Sequence, residues 1–473
     1  WVISIFIKLF GYNELAVRLP SAISALFTMS LLFYIGLKLS KSNLYGLLSG
    51  LVLATSGGYV VFHVSRSADY DAFLTFLTTC WILLGFWYVQ KDKKPIFIYL
   101  TSFIIALSVL TKGIQPLILL PGLLLYVIYK RKLLSILKSK HLYFSILLLV
   151  IIVGAYYFLR EVYNPGYLKE VYKNEIGGRY FNTLEEHRRG FGFYFQILFT
   201  WGFGFWLLFI PITIWLLIFK KDTFNKDLYD FMILCLIVAF SYILIISLAQ
   251  TKGRQYIAPS LPLLALVAAF PIWYFVDKYI TNYQNRYNIK TTVSILLVVS
   301  VLFYQPYRNI IKSMQDEISY SWDKENYGYF MKFCKEYKHY TLVDEGYNAS
   351  LYFYTIAYQK KGYKIDSKEI KNLTTGDTVM VCESNTRNGL NALYHYQSLK
   401  EWRSSVMVKI VGRKEYNTNE RASYFKNLIL SDGSYYAYIL SSMRSDSLSA
   451  EELISKKANE MVQDEMNSFK ISK

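Results

Sequence analysis

Charged residues, cysteine and histidine are all scarce in this chain. Asp, Glu, Lys and Arg make up only 18% of the 473 residues, whereas 53% are hydrophobic and 18% are aromatic. This balance excludes an ordinary soluble globular protein, in which about 25% of residues are charged. The five histidines do not occur at metal-ligand spacing, and four cysteines are too few for a disulfide framework. A glycine-rich phosphate loop is also missing from the sequence, which argues against a nucleotide-binding domain.

Long apolar runs fill the first two thirds of the chain instead. A helix needs about 20 apolar residues to cross the hydrocarbon of a bilayer. We place ten such segments, at 21–39, 43–63, 70–90, 95–110, 114–130, 141–160, 194–219, 228–249, 256–276 and 291–307. The sequence therefore predicts a polytopic α-helical membrane protein.

Lysine and arginine concentrate in alternate loops, around 38–41, 91–94, 130–140, 220–226 and 278–290. Basic loops resist translocation, so we expect this face to be cytoplasmic and the protein to lie in the inner membrane. The opposite hairpins, the 161–194 loop and everything after 307 are then extracytoplasmic. The net charge of +18 is explained by this topology, and binding of nucleic acid is not expected.

The apolar runs end after Tyr307, and charged residues become interleaved with aromatic residues. We predict a transmembrane domain over 1–310 and a soluble extracytoplasmic α/β domain over 311–473. Runs typical of strands occur at Thr341–Asp344, Thr378–Cys382, Val406–Val411 and Tyr435–Leu440, and helical patterns occur at 325–338, 347–361 and 386–401.

The last part of this domain carries a helix-start signal. Ser449 and Glu452 have the spacing of a capping box, and an apolar stripe follows them. We expect this stripe to pack on the domain. Cys334 and Cys382 also lie in the domain, where a disulfide is allowed but has no support from the sequence.

Charges gather in the first two outer hairpins. Arg66, Asp69 and Asp71 stand within six positions, and burying them unpaired would be costly. Two interpretations remain open: Arg66 pairs with Asp69 while Asp71 caps the next helix, or a carboxylate faces a polar cavity and orients a substrate. Lys112 in the next hairpin either snorkels to the interface or binds an anionic headgroup.

Two cations and a phenol precede a proline-bearing helix, at Lys252, Arg254 and Tyr256. Cations beside a hydroxyl donor suit a phosphate. The long 161–194 loop adds Arg179 and His187 together with recurring aromatic residues such as Tyr167. We expect this loop to roof a cavity, although a plain interfacial helix is the alternative.

Five stretches occur in the order seen in one family: Phe10–Ala22 with its Arg-Leu-Pro-Ser-Ala segment, Asp71–Leu74, Leu110–Gly113, the loop with Arg179 and His187, and Thr251–Pro259. The chain resembles the bacterial ArnT-like glycosyltransferases. These are the aminoarabinose transferases and their relatives, which are grouped with the protein O-mannosyltransferases in the GT-C fold. The similarity covers about residues 1–310.

The resemblance implies transfer of a sugar from a polyprenyl (undecaprenyl) phosphate carrier to a lipid A-like lipid, a glycan or a protein on the outer face of the membrane. It matches Asp71, with Asp69 as neighbour, to the family's second acidic position, whereas the acidic residue at the family's catalytic centre lies in the first outer loop. It matches Tyr256 to a phosphate-binding tyrosine and Lys252 to the hairpin lysine. Where this chain has Lys252-Gly253-Arg254, family members often have Lys-Leu-Pro, which leaves the sugar and the acceptor open.

The predicted site combines both lines of reasoning. Asp71 and Asp69 are the candidate catalytic residues, and the candidate substrate-binding residues are Arg66, Lys112, Arg179, His187, Lys252, Arg254 and Tyr256. No metal ligands are predicted, and a requirement for a divalent cation stays open. The family's first acidic residue and a Lys-Pro-Pro segment would lie upstream of Trp1. We therefore expect a first helix and loop to be missing, and the chain to be inactive as it stands.

Two other classes of function are alternatives to the enzyme. A lipid or sugar transporter or flippase would also be polytopic, but transporters place polar residues near the bilayer midplane. A sensor or scaffold that works through the outer domain would leave the hairpin charges unexplained.

Overall fold

The computed structural model describes residues 2–60, 64–90, 94–173, 189–278, 289–324, 326–343, 348–402, 405–414, 418–431 and 449–471. The chain divides into two compact units, Trp1–Asp316 and Glu317–Lys473. Arg179, His187 and the strand predicted at Tyr435–Leu440 lie outside the described residues.

The described part of the first unit is helical. Its α-helices are α1 (Val2–Phe10), α2 (Glu14–Ser40), α3 (Asn43–Ala54), α4 (Gly57–Val60), α5 (Asp71–Gln90), α6 (Pro95–Lys112), α7 (Leu120–Tyr129), α8 (Leu133–Leu137), α9 (Lys140–Tyr163), α10 (Tyr167–Val171), α11 (Phe193–Ile197), α12 (Phe209–Phe219), α13 (Lys226–Leu248), α14 (Leu261–Val276) and α15 (Ile289–Lys324). Short 3₁₀-helices at Gln115–Leu119 and Arg254–Ser260 lead into α7 and α14.

Among the described residues, seven helices are long and apolar enough to cross a membrane. They correspond to seven of the ten predicted segments, which confirms the fold class. The segment predicted at 194–219 is a pair of helices, Phe193–Gly202 and Gly204–Phe219, bent by 109°. The segments predicted at 43–63 and 114–130 contain the shorter apolar helices Asn43–Ala54 and Gln115–Tyr129.

The helix α14 is the centre of this unit. Its apolar span is 89% buried, whereas the span of α9 is 6% buried and lies at the periphery. Pro271 cannot donate a hydrogen bond to the carbonyl of Val267 four residues earlier. The hydroxyl of Thr213 on α12 donates to that carbonyl at 2.7 Å, so a neighbouring helix satisfies it inside the apolar core.

Glycines allow close approach between several of these helices. A Cβ on Gly36 of α2 would lie 2.8 Å from the Cα of Gly46 on α3. A Cβ on Gly57 would run into the carbonyl oxygen of Trp201, and one on Gly58 would lie 3.1 Å from the carbonyl oxygen of Gly202. Small residues at such contacts are typical of packed membrane helices.

The second unit contains a five-stranded sheet with helices. Its strands are β1 (His339–Val343), β2 (Lys364–Lys368), β3 (Thr378–Val381), β4 (Tyr394–Trp402) and β5 (Ser405–Arg413), in the order β2-β1-β3-β5-β4. The pairs β1–β2 and β1–β3 are parallel, and β3–β5 and β4–β5 are antiparallel. Its helices are α16 (Asn326–Phe333), α17 (Ala349–Gln359), α18 (Ser384–Leu393), α19 (Thr418–Ser431) and α20 (Ala450–Ile471).

The helix predicted at 386–401 is partly wrong. The chain leaves α18 at Leu393 and continues as β4, which pairs along its length with β5. Ladder hydrogen bonds to a neighbouring strand override the local helical pattern here.

The capping box is confirmed, since Ser449 and Glu452 are hydrogen-bonded to each other at the start of α20. The stripe of α20 packs as predicted, with Ile454 and Ala458 buried against Ile429 of α19. Cys334 and Cys382 are buried, and no disulfide joins them.

Candidate functional site

A cavity of about 420 Å³ opens in the first unit where several helix ends meet. Among its described lining residues, the polar and aromatic ones are Tyr70, Thr111, Lys112, Gln115, Tyr156, Tyr157, Tyr167, Tyr194, Thr251 and Tyr256. This volume lies toward the small end of the range of about 300–1,000 Å³ that is usual for ligand pockets. It therefore suits a headgroup better than a whole lipid.

An ion pair between two helix ends stands at this cavity. Asp71 is the first residue of α5 and Lys112 is the last residue of α6, and Lys112 Nζ lies 2.5 Å from Asp71 Oδ1. The side chain of Asp71 is only 1% exposed and that of Lys112 only 7%. A carboxylate at a helix N-terminus and a cation at a helix C-terminus each interact favourably with the helix dipole. The two helices thus hold the opposite charges where they neutralise each other.

The ammonium of Lys112 also lies against two aromatic rings. Its Nζ is 4.9 Å from the ring centroid of Tyr70 and 4.9 Å from that of Tyr256. Both distances are within the range of a cation–π interaction. Lys112 is therefore held from three sides, at the wall of the cavity.

The backbone that carries Tyr256 is fixed by buried hydroxyls. Tyr242 donates its hydroxyl hydrogen to the carbonyl of Tyr256 at 2.6 Å, and Gln115 Nε2 approaches the Tyr242 oxygen at 3.4 Å. Tyr194 donates to the carbonyl of Gly253 at 3.2 Å. These contacts hold the 3₁₀-helix Arg254–Ser260 at the N-terminus of α14, so that Tyr256 faces Lys112.

The structure places the other predicted hairpin cations elsewhere. The Lys252 side chain is buried, and its ammonium donates to the carbonyl of Arg189 at 2.9 Å and to that of Ala249. Burial lowers the pKa of Lys252. Arg254 is exposed, and neither side chain is among the described residues that line the cavity. Lys252 thus joins the last part of the 161–194 loop to the end of α13.

Arg66 and Asp69 lie in the hairpin just before α5 and are half-buried. The carbonyl of Asp69 accepts a hydrogen bond from the hydroxyl of Ser21 at 2.7 Å, and its Oδ1 accepts one from the amide of Tyr70 at 2.8 Å. The hairpin is therefore tied to α2, directly beside the residue that begins α5.

Of the candidate residues, the structure brings together Asp71, Lys112 and Tyr256. Of the cavity tyrosines, the sequence predicts Tyr256 as a site residue and places Tyr167 in a loop that roofs a cavity, but it does not single out Tyr70, Tyr156, Tyr157 or Tyr194. The adjacent Tyr156 and Tyr157 at the end of α9 were an available signal, because phenols are amphipathic and suit the edge of a cavity. In the described part of the chain, no group of three or more His, Cys, Asp or Glu side chains could hold a metal ion.

A second buried ion pair lies at the opposite end of α5. Lys130 Nζ is 2.6 Å from Asp230 Oδ2, and Gln90, the last residue of α5, donates to the same oxygen at 2.7 Å. The 20 residues of α5 separate the two pairs by about 30 Å at 1.5 Å per residue. The pair of Lys130 and Asp230 is thus comparable in burial and remote from the cavity.

Comparisons with known proteins show which family model and which solved structures the chain is similar to. Residues 1–157 match the family model described as dolichyl-phosphate-mannose-protein mannosyltransferase. ArnT from Cupriavidus metallidurans bound to undecaprenyl phosphate superposes with a TM-score of 0.60 at 14% identity over 86% of both chains. Its apo state gives 0.58 at 15% identity, again over 86% of both chains. At these identities the structural similarity shows the fold.

The predicted resemblance to ArnT-like and protein O-mannosyltransferase-like enzymes is confirmed by this family match and this fold. The seven apolar helices of the described residues fit a multi-span membrane protein, and the family that residues 1–157 match is one of glycosyltransferases with a lipid-phosphate-linked sugar donor.

Two proteins of Aquifex aeolicus (strain VF5), each described as an uncharacterized protein, are also similar. One is 28% identical over 272 residues, 57% of this chain and 51% of the relative. The other is 27% identical over 337 residues, 69% of this chain and 71% of the relative. The chain thus spans about half the length of the first relative.

Proposed function

We propose that this chain is the membrane part of a glycosyltransferase that moves a sugar from a polyprenyl phosphate carrier to a lipid, glycan or protein acceptor. One observation carries the proposal: a buried lysine, Lys112, stands at the wall of a cavity at the ends of apolar helices. A polyprenyl phosphate can bring its charge to such a place while its tail stays among the helices. The ArnT structure with undecaprenyl phosphate, which has the same fold, supports this class of carrier.

The transfer breaks the bond between the anomeric carbon of the sugar and a phosphate oxygen. A new bond forms from that carbon to the acceptor oxygen, and the acceptor hydroxyl gives its proton to a base. The departing phosphate takes the bonding electron pair and gains negative charge. A preorganised cation stabilises such charge most effectively in a site that excludes water.

We assign Lys112 and the hydroxyl of Tyr256 to the departing phosphate. An ammonium offers three hydrogens and a phenol offers one. Asp71 orients Lys112 through their ion pair, and Asp69 helps to fix the hairpin that presents Asp71. Among the described candidates, Arg66, Lys252 and Arg254 do not line the cavity, so we do not assign them to the phosphate.

We also propose that the cavity and the second unit face the extracytoplasmic side of the inner membrane. The basic loops that predict this orientation include Lys130 and Lys132, at the end of the bundle opposite to the cavity.

The transporter alternative is less well supported. Transporters bind their substrates near the bilayer midplane, on broken helices. Here the buried charges of the cavity belong to the first residue of α5 and the last residue of α6. Such a position at the membrane edge suits a reaction on a headgroup.

The test is binding of undecaprenyl phosphate to the purified complete protein, with Lys112→Met and Lys130→Met as matched variants. Each removes one cation from a buried ion pair, but only Lys112 lies at the cavity. A hydrogen bond to a charged group contributes about 1.5–3 kcal/mol. We therefore expect Lys112→Met to weaken binding at least about tenfold, and Lys130→Met to leave it unchanged. Equal binding by all three proteins would refute the assignment.

The product is tested separately, by mass analysis of envelope lipids, glycans and proteins from cells with and without the complete gene. We expect one species to lose the mass of one sugar when the gene is absent. No such change, together with carrier movement across vesicles by the purified protein, would favour a flippase.

A further inference from the structure

Three tyrosines form a continuous side of the cavity. Tyr156 and Tyr157 stand near the end of α9, and Tyr167 begins α10. The rings of Tyr156 and Tyr157 are 5.5 Å apart, and those of Tyr157 and Tyr167 are 6.1 Å apart at 32°. All three line the cavity and are half-buried. We call these three residues the tyrosine wall.

The chain turns back sharply to build this wall. Between α9 and α10, Gly166 has a φ of +93°, a conformation that favours glycine. The carboxylate of Glu161 accepts hydrogen bonds from the amides of Gly166 at 2.9 Å and Leu168 at 2.7 Å. The guanidinium carbon of Arg160 lies 4.7 Å from the ring centroid of Tyr167. Arg160 and Glu161 of α9 and Gly166 of the turn thus hold Tyr167 against Tyr157.

A packed tyrosine turned toward a cavity offers two kinds of contact. Its ring face carries partial negative charge, which suits the weakly positive C–H bonds on one face of a sugar ring. Its hydroxyl can both donate and accept hydrogen bonds, as sugar hydroxyls do. An isoprenoid tail would use only the ring face, and a phosphate would need cations.

The cavity therefore has two chemically different parts. Lys112 and Tyr256 supply a cation and a phenol for a phosphate, and the tyrosine wall supplies aromatic faces with hydroxyls. A sugar linked to a phosphate has the same two parts in direct connection. We propose that the tyrosine wall is the subsite for the sugar ring of the donor and determines which sugar is accepted, with Arg160 as its positioning residue. This inference rests on the proposed function, because that function assigns the phosphate to Lys112.

The experiment compares two ligands on the purified complete protein: undecaprenyl phosphate and undecaprenyl phosphate-mannose. Tyr167→Leu removes the aromatic face and the hydroxyl but retains an apolar side chain. We expect it to weaken binding of the sugar-bearing carrier about 3- to 10-fold while binding of the bare carrier changes less than about twofold. The control is Tyr163→Leu at the last residue of α9, where the side chain is 79% exposed; both affinities should stay unchanged.

A second variant keeps the test valid if Tyr167→Leu does not fold. Arg160 is exposed, and Arg160→Met removes the contact of its guanidinium with the Tyr167 ring while it keeps an unbranched side chain. We expect a loss of about 2- to 5-fold, again confined to the sugar-bearing carrier. A general structural defect would weaken both ligands together.

The outcomes separate the two proposals. Equal losses for both carriers would overturn the sugar subsite and assign the wall to the isoprenoid tail, and no loss for either would remove the wall from binding. In both cases the proposed function stands, because the wild type binds the carrier. If the wild type binds neither carrier, the proposed function fails and this inference fails with it.

Discussion

The buried pair of Asp71 and Lys112 should be strongly coupled in stability. Taking one partner away leaves the other charge buried, at a cost of about 3–5 kcal/mol, whereas replacing both is often nearly neutral. With exposures of 1% and 7%, this pair is close to the fully buried limit. We therefore expect Asp71→Asn and Lys112→Met each to lower the free energy of unfolding by about 3–5 kcal/mol.

The double variant provides the decisive measurement. It should be at least about 2 kcal/mol more stable than the sum of the single losses predicts, because the partners are in direct contact. The assay is equilibrium unfolding of the complete protein in mixed micelles by increasing SDS, followed by tryptophan fluorescence. Losses that add to within about 0.5 kcal/mol would refute the coupling.

The pair of Lys130 and Asp230 is the matched control for function. Its side chains are 14% and 6% exposed, so Asp230→Asn should also destabilise the protein. Because this pair lies at the other end of α5 from the cavity, we expect the folded fraction of Asp230→Asn to bind undecaprenyl phosphate at the wild-type level. Asp71→Asn should weaken that binding. Equal effects on binding would mean that both pairs act only through stability.

Three further outcomes are expected. Tyr242→Phe should cost about 1–3 kcal/mol in SDS unfolding and weaken carrier binding, because the carbonyl of Tyr256 loses this buried donor; wild-type values in both would contradict the positioning of Tyr256. Hydrogen bonds from Ser449 lower the pKa of Glu452 from its ordinary value of 4.5. They therefore stabilise the start of α20 above that pH, and this contribution is lost as the pH falls through the lowered pKa. Hydrogen exchange in the first turn of α20 should accelerate on acidification, and Glu452→Gln should remove that pH dependence. Burial raises the pKa of Cys334 to about 12, so maleimide at neutral pH should label Cys334 and Cys382 only after unfolding, and rapid labelling of the folded protein would contradict their burial.

Helices could be predicted from this sequence far better than their breaks. The thickness of a bilayer fixes the length of an apolar run, so α5, α6, α13 and α14 were found from composition. No proline lies at the bend between Gly202 and Gly204, so the sequence does not indicate it. It depends on packing against residues from another part of the chain, to which a local pattern is insensitive.

The site was predicted in its parts but not in its pairing. Asp71 and Lys112 are 41 residues apart in sequence, and each was assigned to the outer face. Their contact follows only once α5 and α6 pack as an antiparallel hairpin, which brings the start of one helix to the end of the next. Lys252 shows the opposite case, because a hairpin position predicts a cation at the surface but cannot predict that backbone carbonyls will surround it.

The two glycines at the start of α4 have a role that reaches beyond close packing. A sharply bent helix pair exposes main-chain groups, and hydrocarbon cannot hydrogen-bond them. Gly57 and Gly58 press bare backbone onto Trp201 and Gly202, directly at the bend. We expect this close contact to keep acyl chains away from the interrupted helix, and a side chain at position 57 would force the two backbones apart.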